Sequence, residues 1–130
     1  MSVRLLLDTH AFLWFITRDP KLSATASQAI ASGANEVLLS VASVWEITIK
    51  VSRGRLPLPV LLDTFIPEQL RINRISLLPV ELRHTFAVGR LPLHHGDPFD
   101  RLLIAQAMVE ALPITSADEV FARYPVHRIW

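Results

Sequence analysis

Short apolar runs recur along the chain, and each stops at a polar turn that opens a longer amphipathic stretch. Val3 to Leu7 ends at Asp8-Thr9-His10, and Ala11 to Ile16 is too apolar for an exposed loop, so the pattern reads strand, turn, helix. Asp19-Pro20 closes this unit. Ser23 can cap a helix over Ala24 to Ser32 that Gly33 ends. Val37 to Leu39 is a second strand, and Ser40 starts a helix over Val41 to Ser52. Its β-branched residues lower helix propensity, but twelve residues are long for one strand and Arg53-Gly54 fits a helix stop. Leu56-Pro57-Leu58-Pro59 is a stiff connector. Val60 to Ile72 looks helical with Pro67 interrupting it, which predicts a kink or two short helices. Arg74 to Leu78 reads as a third strand and Val80 to Val88 as a helix stopping at Gly89, with His84 expected at the surface. Leu112 to Thr115, Asp118 to Arg123 and Val126 to Ile129 complete the series as strand, small helix and strand. This alternation predicts an α/β fold, a parallel sheet of four to five strands with helices on both faces, and one domain spanning residues 1–130.

The most informative segment runs from His94 to Met108, where a short polar loop enters an almost wholly apolar helix. Asp97 is a good N-cap, and Pro98 suits the first helical position because its missing N–H would have no partner there. Asp100 then falls in the first turn, on the face of Leu103, Ile104 and Ala107, so the stripe expected to be buried carries a carboxylate. Capping alone can account for both aspartates. The other carboxylates raise the stakes. Asp8 follows a strand, at the carboxyl edge where α/β sheets bind ligands, or simply caps the next helix. Asp118 repeats that arrangement after the fourth strand. Glu46 lies one turn before Lys50, as either a surface ion pair or a functional group.

Composition narrows the chemistry. A chain of 130 residues with 51% hydrophobic and 19% charged content can bury a proper core and is no candidate for disorder. It has no cysteine, so any metal must be held by oxygen or imidazole, and a reducing cytoplasm suits it. No apolar stretch is long enough to span a membrane and no signal peptide is recognisable, so the expectation is a soluble, cytoplasmic protein with no membrane partner. The net charge of +1 says little until it is divided. With Asp8, Glu46, Asp100 and Asp118 set apart, 13 basic residues face 8 acidic ones, a balance suited to a polyanionic substrate, though scattered arginines give the same count.

Four acids gathered in one cleft would repel one another and raise their pKa values unless a cation lay among them. Oxygen ligands without cysteine favour Mg²⁺ or Mn²⁺, which orient and acidify water and stabilise charge on a phosphodiester. No rival set is as coherent. His94-His95 lacks the His-Glu-x-x-His spacing and fits a loop or a substrate contact; a Gly-x-Ser-x-Gly elbow and both glycine-rich phosphate loops are missing.

Four blocks, Leu5-Leu6-Leu7-Asp8-Thr9-His10, Ser43-Val44-Trp45-Glu46-Ile47, His95 to Ala107 with its Asp-Pro-Phe-Asp-Arg core, and Ser116-Ala117-Asp118-Glu119-Val120-Phe121, stand in order. Together they resemble the signatures of PIN-domain proteins, in particular VapC-type toxins of type II toxin–antitoxin pairs. The resemblance implies a three-layer PIN-like fold and an Mg²⁺-dependent endoribonuclease that inhibits translation. Its catalytic and metal-holding quartet would be Asp8, Glu46, Asp100 and Asp118, with Asp8 and Asp100 the most direct ligands and Ser116 and Asp97 in support. It further implies an RNA substrate, a homodimer, and a small antitoxin covering the active-site groove. Ser116 stands where threonine is frequent and Pro67 interrupts the arm helix, two departures from the common pattern. Two other classes compete: a non-catalytic RNA- or protein-binding module on the same fold, and a phospho-acceptor domain with Asp8 as nucleophile. No lysine follows a late strand to serve the latter.

Overall fold

The computed structural model describes residues 2–58 and 61–130; the expected helix start at Val60 and Pro59 of the connector lie outside them. A five-stranded, wholly parallel sheet carries the order β3-β2-β1-β4-β5. Its strands are β1 (Arg4–Leu7), β2 (Glu36–Ser40), β3 (Ile75–Leu78), β4 (Ile114–Thr115) and β5 (Arg128–Ile129). Six α-helices stand among the described residues: α1 (Thr9–Thr17), α2 (Ala24–Ala31), α3 (Val41–Ser52), α4 (Leu62–Ile72), α5 (Leu82–Val88) and α6 (Pro98–Glu110). The small helix expected at 118–123 is a 3₁₀ turn over Glu119–Arg123.

Side-chain alternation in the central strands divides the core into two layers. Leu5 and Leu7 of β1, with Val37 and Leu39 of β2, meet Phe12, Ile30, Ile47 and Ile66 from α1 to α4 on one face. Leu6 and Leu38 point the other way, onto Leu103, Ile104 and Ala107 of α6 with Phe121 and Tyr124. Both faces of the sheet are thus covered, which explains why its strands read as continuous apolar runs.

The helix starts obey local rules. Ser23, Ser40, Asp97 and Asp118 each accept a backbone N–H from the turn they open. Arg53 and Gly54 end α3 as expected, with Gly54 at φ +67, where a side chain would be strained.

Of the two outcomes open for Pro67, division into two short helices does not occur: α4 runs from Leu62 to Ile72 as one helix with Pro67 inside it. Pro67 and Asp63, whose carbonyl loses its donor, are both exposed, so water can satisfy that oxygen. Leu62, Phe65, Ile66 and Leu70 meanwhile keep the helix on the core. His84 is not at the surface but fully buried, because α5 packs against α6 with that side chain between them. Gly89 also ends α5 without using left-handed freedom, at φ −64.

Candidate functional site

The chain lays down β1, β2 and β3 outward on one side, then crosses to place β4 on the other side of β1. Ligands of open α/β sheets bind at the carboxyl edge of such a reversal. Asp8 follows β1 there, and its backbone N–H extends the ladder by donating to Thr115 O at 3.0 Å. This seats Asp8 close to Ser116, whose hydroxyl helps to hold the Asp8 carboxyl down. Ser116 Oγ in turn accepts the Asp118 N–H at 3.1 Å, so one serine links two acids from segments far apart in sequence. Arg128 of β5 fixes the serine from behind, donating to its carbonyl at 3.0 Å.

Glu46 reaches the same place from α3. Thr9 Oγ1, buried, donates to Glu46 Oε1 at 2.7 Å, with Ser43 Oγ 3.0 Å away in the same network. The i, i+4 pairing with Lys50 also forms, at 2.9 Å to Oε2. It is no ordinary surface pair, however, because Glu46 is buried. Asp100 enters from the first turn of α6, where its backbone N–H bonds Asp97 Oδ1 at 3.1 Å.

The acids sense one another. Burial first, then Asp97, Asp8, Glu46 and Asp118, push the Asp100 carboxyl up to about 7. Burial also raises Asp8, opposed by its bonds to Ser116 and the Ala11 N–H and by nearby His10, and reinforced by Glu46. A pocket that withholds ionisation from one of its own carboxylates is short of positive charge. That donor set fits a hard divalent cation. No three carboxylates of the quartet have oxygens all within 4.8 Å of one another among the described residues. Mg²⁺ commonly keeps several waters, so direct contact with every acid is not required.

The trio that does meet that spacing is elsewhere: Glu81, His84 and Glu110. Both imidazole nitrogens are committed there, Nδ1 accepting the Glu81 N–H at 3.0 Å and Nε2 bonding Glu110 Oε2 at 2.9 Å. Arg83 bridges Glu81 and Glu110. It is a hydrogen-bonded staple between α5 and α6, whose two carboxylates share the Arg83 guanidinium. A separate cleft of about 560 Å³, lined by Trp14, Arg18, Leu22, Gln69 and Ile72, contains none of the quartet.

Sequence reading gave no role to Thr9, Ser43 or Arg101. Arg101 donates to the carbonyls of Pro92 and Val88, at 3.0 and 3.2 Å, and so ties the loop before α6 to the helix that carries Asp100. His95, left open between loop and contact, lies in the same cluster. Its Nδ1 is 3.0 Å from Tyr124 Oη and its buried, unpaired Nε2 is 3.7 Å from Asp100 Oδ2. The available signal was that the polar residues in these blocks outnumber those needed for caps.

Asp97 both caps α6 and raises Asp100, and the two roles separate by mutation. Asp97→Asn keeps an N-cap acceptor, so α6 holds and Asp100 titrates below about 7. Asp97→Ala loses the cap as well, at about 1 kcal/mol. Carboxyl NMR titration and thermal melts check this; an unmoved Asp100 in Asp97→Asn would refute the electrostatic role.

The PIN domain family profile matches residues 5–126. The chain belongs to the PIN domain family. This PIN domain is also similar to Ribonuclease VapC16 of Mycobacterium tuberculosis, with 39% identity over 72 residues, covering 52% of this chain and 51% of that protein. The chain thus spans about half the length of that curated relative. VapBC2 from Rickettsia felis, solved bound to a DNA fragment from its promoter, superposes with TM-score 0.69 at 17% identity, covering 98% of this chain and 100% of that one. A toxin–antitoxin complex from Klebsiella pneumoniae gives TM-score 0.64 at 13% identity over 93% and 92% of the two chains. At these identities the structural likeness establishes the shared fold.

Proposed function

We propose that this PIN domain is a metal-dependent endoribonuclease, the toxin of a toxin–antitoxin pair, which inhibits translation by cutting RNA in the cytoplasm. The observation that carries the reading is the coupling of Asp100 to Asp8, Glu46 and Asp118, three acids brought to it from distant segments. In this reading Asp8 and Asp100 lie closest to an Mg²⁺ or Mn²⁺ ion, with Glu46 and Asp118 completing the quartet and Ser116 and Asp97 supporting it. The ion would lower the pKa of a bound water and stabilise charge on the scissile phosphate.

The chain's own part is positional. Thr9 and Lys50 hold Glu46 while Ser116 holds Asp8, leaving carboxylate oxygens at the carboxyl edge of the sheet. Similarity to the mycobacterial ribonuclease supports ribonuclease activity, and the fold shared with toxin–antitoxin complexes supports a protein antitoxin as partner. Leu82 and Phe86, largely exposed one turn apart on α5, support a homodimer surface, with exposed Leu77 on the edge strand β3.

The test is incubation of the purified protein with total cellular RNA in Mg²⁺ or in EDTA, followed by mapping of new ends. Discrete ends with Mg²⁺ and none with EDTA are expected. RNA bound in a salt-dependent manner yet left intact in Mg²⁺ and Mn²⁺ would overturn the reading in favour of a binding module.

A further inference from the structure

We infer that Trp45 and Phe99 form a stacking subsite for an unpaired nucleobase, immediately beside the acidic pocket. The inference rests on the ribonuclease reading above and deepens it. Trp45 directly precedes Glu46 on α3, and Phe99 directly precedes Asp100 on α6. Their rings meet edge to face, with centroids 5.2 Å apart and planes at 68°. Consecutive residues of α3 therefore do different work: Glu46 reaches Thr9 of α1, and Trp45 closes the seam toward α6.

Trp45 is nonetheless 60% exposed, although it packs on Phe99 of α6 and directly precedes buried Glu46. Half-buried Phe99 props the indole, so the platform is ordered before any ligand arrives. The occupant follows from continuity with the pocket. A single-stranded nucleic acid alternates phosphate and base, so a phosphodiester among the acids puts a neighbouring base next to the residues that flank them. Proteins that hold single strands use exposed aromatic rings for such bases, because every base offers a π-face. The larger ring of a purine covers more of the indole, so a purine preference at this nucleotide is expected.

The experiment measures affinity apart from cleavage. Asp100→Asn protein, alone and with Trp45→Leu or Trp45→Tyr added, is titrated in Mg²⁺ with a short single-stranded oligoribonucleotide. A second titration uses an abasic ribose-phosphate oligomer of equal length. Trp45→Leu should weaken oligoribonucleotide binding about tenfold, Trp45→Tyr should stay within about twofold, and neither should change abasic binding. In the wild-type background Trp45→Leu should raise KM and leave kcat in place.

Equal affinities for all three proteins, or an equal loss on the abasic oligomer, would overturn the subsite. So would unchanged RNA binding together with lost binding of a purified protein partner. If the unsubstituted protein cuts RNA and Trp45→Leu makes no difference, the subsite alone falls. If it neither binds the oligoribonucleotide nor cuts RNA, the ribonuclease reading falls first.

Discussion

Asp100→Asn is expected to lower RNA cleavage by at least about 10²-fold while raising the melting temperature of the metal-free protein at about pH 8. The two effects have one cause. The Asp100 carboxyl is only 26% exposed, and burial together with four neighbouring carboxylates holds it at about 7, against about 3.9 in an unfolded chain. Between those values the native state binds more protons than the unfolded state, so stability falls as pH rises through the window. The penalty is fully in place above about pH 7 and absent below about pH 4. Asparagine cannot ionise, so the variant should be the more stable protein at high pH, with the difference vanishing near pH 4.

Adding Mg²⁺ should close the gap from the other side, stabilising the wild type more than the variant because only the wild type presents the full charge. Melting curves from about pH 4 to about pH 8, with and without Mg²⁺, test both parts. A wild-type stability indifferent to pH across that range, or a variant that melts earlier at the upper end, would remove the electrostatic account of the site.

His84→Ala is expected to destabilise the fold by about 3 kcal/mol, lowering the melting temperature by roughly 10 °C, without touching the quartet. The side chain is fully buried between α5 and α6. Its removal leaves a cavity, and it strips the acceptor from the Glu81 N–H and the donor from Glu110. Gln106 Nε2, 3.4 Å from Nδ1, loses a neighbour as well, although it keeps its bond to the Pro79 carbonyl. Glu110 should also titrate at higher pH in the variant, since the His84 N–H is the largest of the groups that hold its carboxyl below the usual range, with Arg83 next among the stabilising ones. A loss under about 1 kcal/mol would mean that Arg83, Glu81 and Glu110 hold the helix pair without the imidazole.

These predictions rest on features that were unequally legible in the sequence. Asp97 and Asp100 could be placed at the head of α6, and Asp8 and Asp118 at strand ends, because caps and strand periodicity are written within a few residues. The carboxylate on the buried face of α6 was already an anomaly at that level. Thr9 was not, since a threonine in a first helical turn usually satisfies itself locally, and only the approach of α3 gives it Glu46 as a partner. Pro67 leaves α4 a single helix for a related reason: the rule that proline interrupts helices is local, while four apolar side chains anchored on a distant sheet outweigh one missing bond on the solvent face.

By itself the sequence determined the alternation of strands and helices, the caps that begin them, and the identity of the acids that a parallel sheet would carry to one edge. The tertiary structure decided how those acids are held: through Ser116 and Thr9, with Asp100 half-ionised near neutrality, Trp45 braced on Phe99 and His84 sealed between helices. The division is physical. Backbone preference and capping act over one turn of chain, whereas burial and Coulomb coupling depend on distances in space that only the packed sheet and its covering helices set.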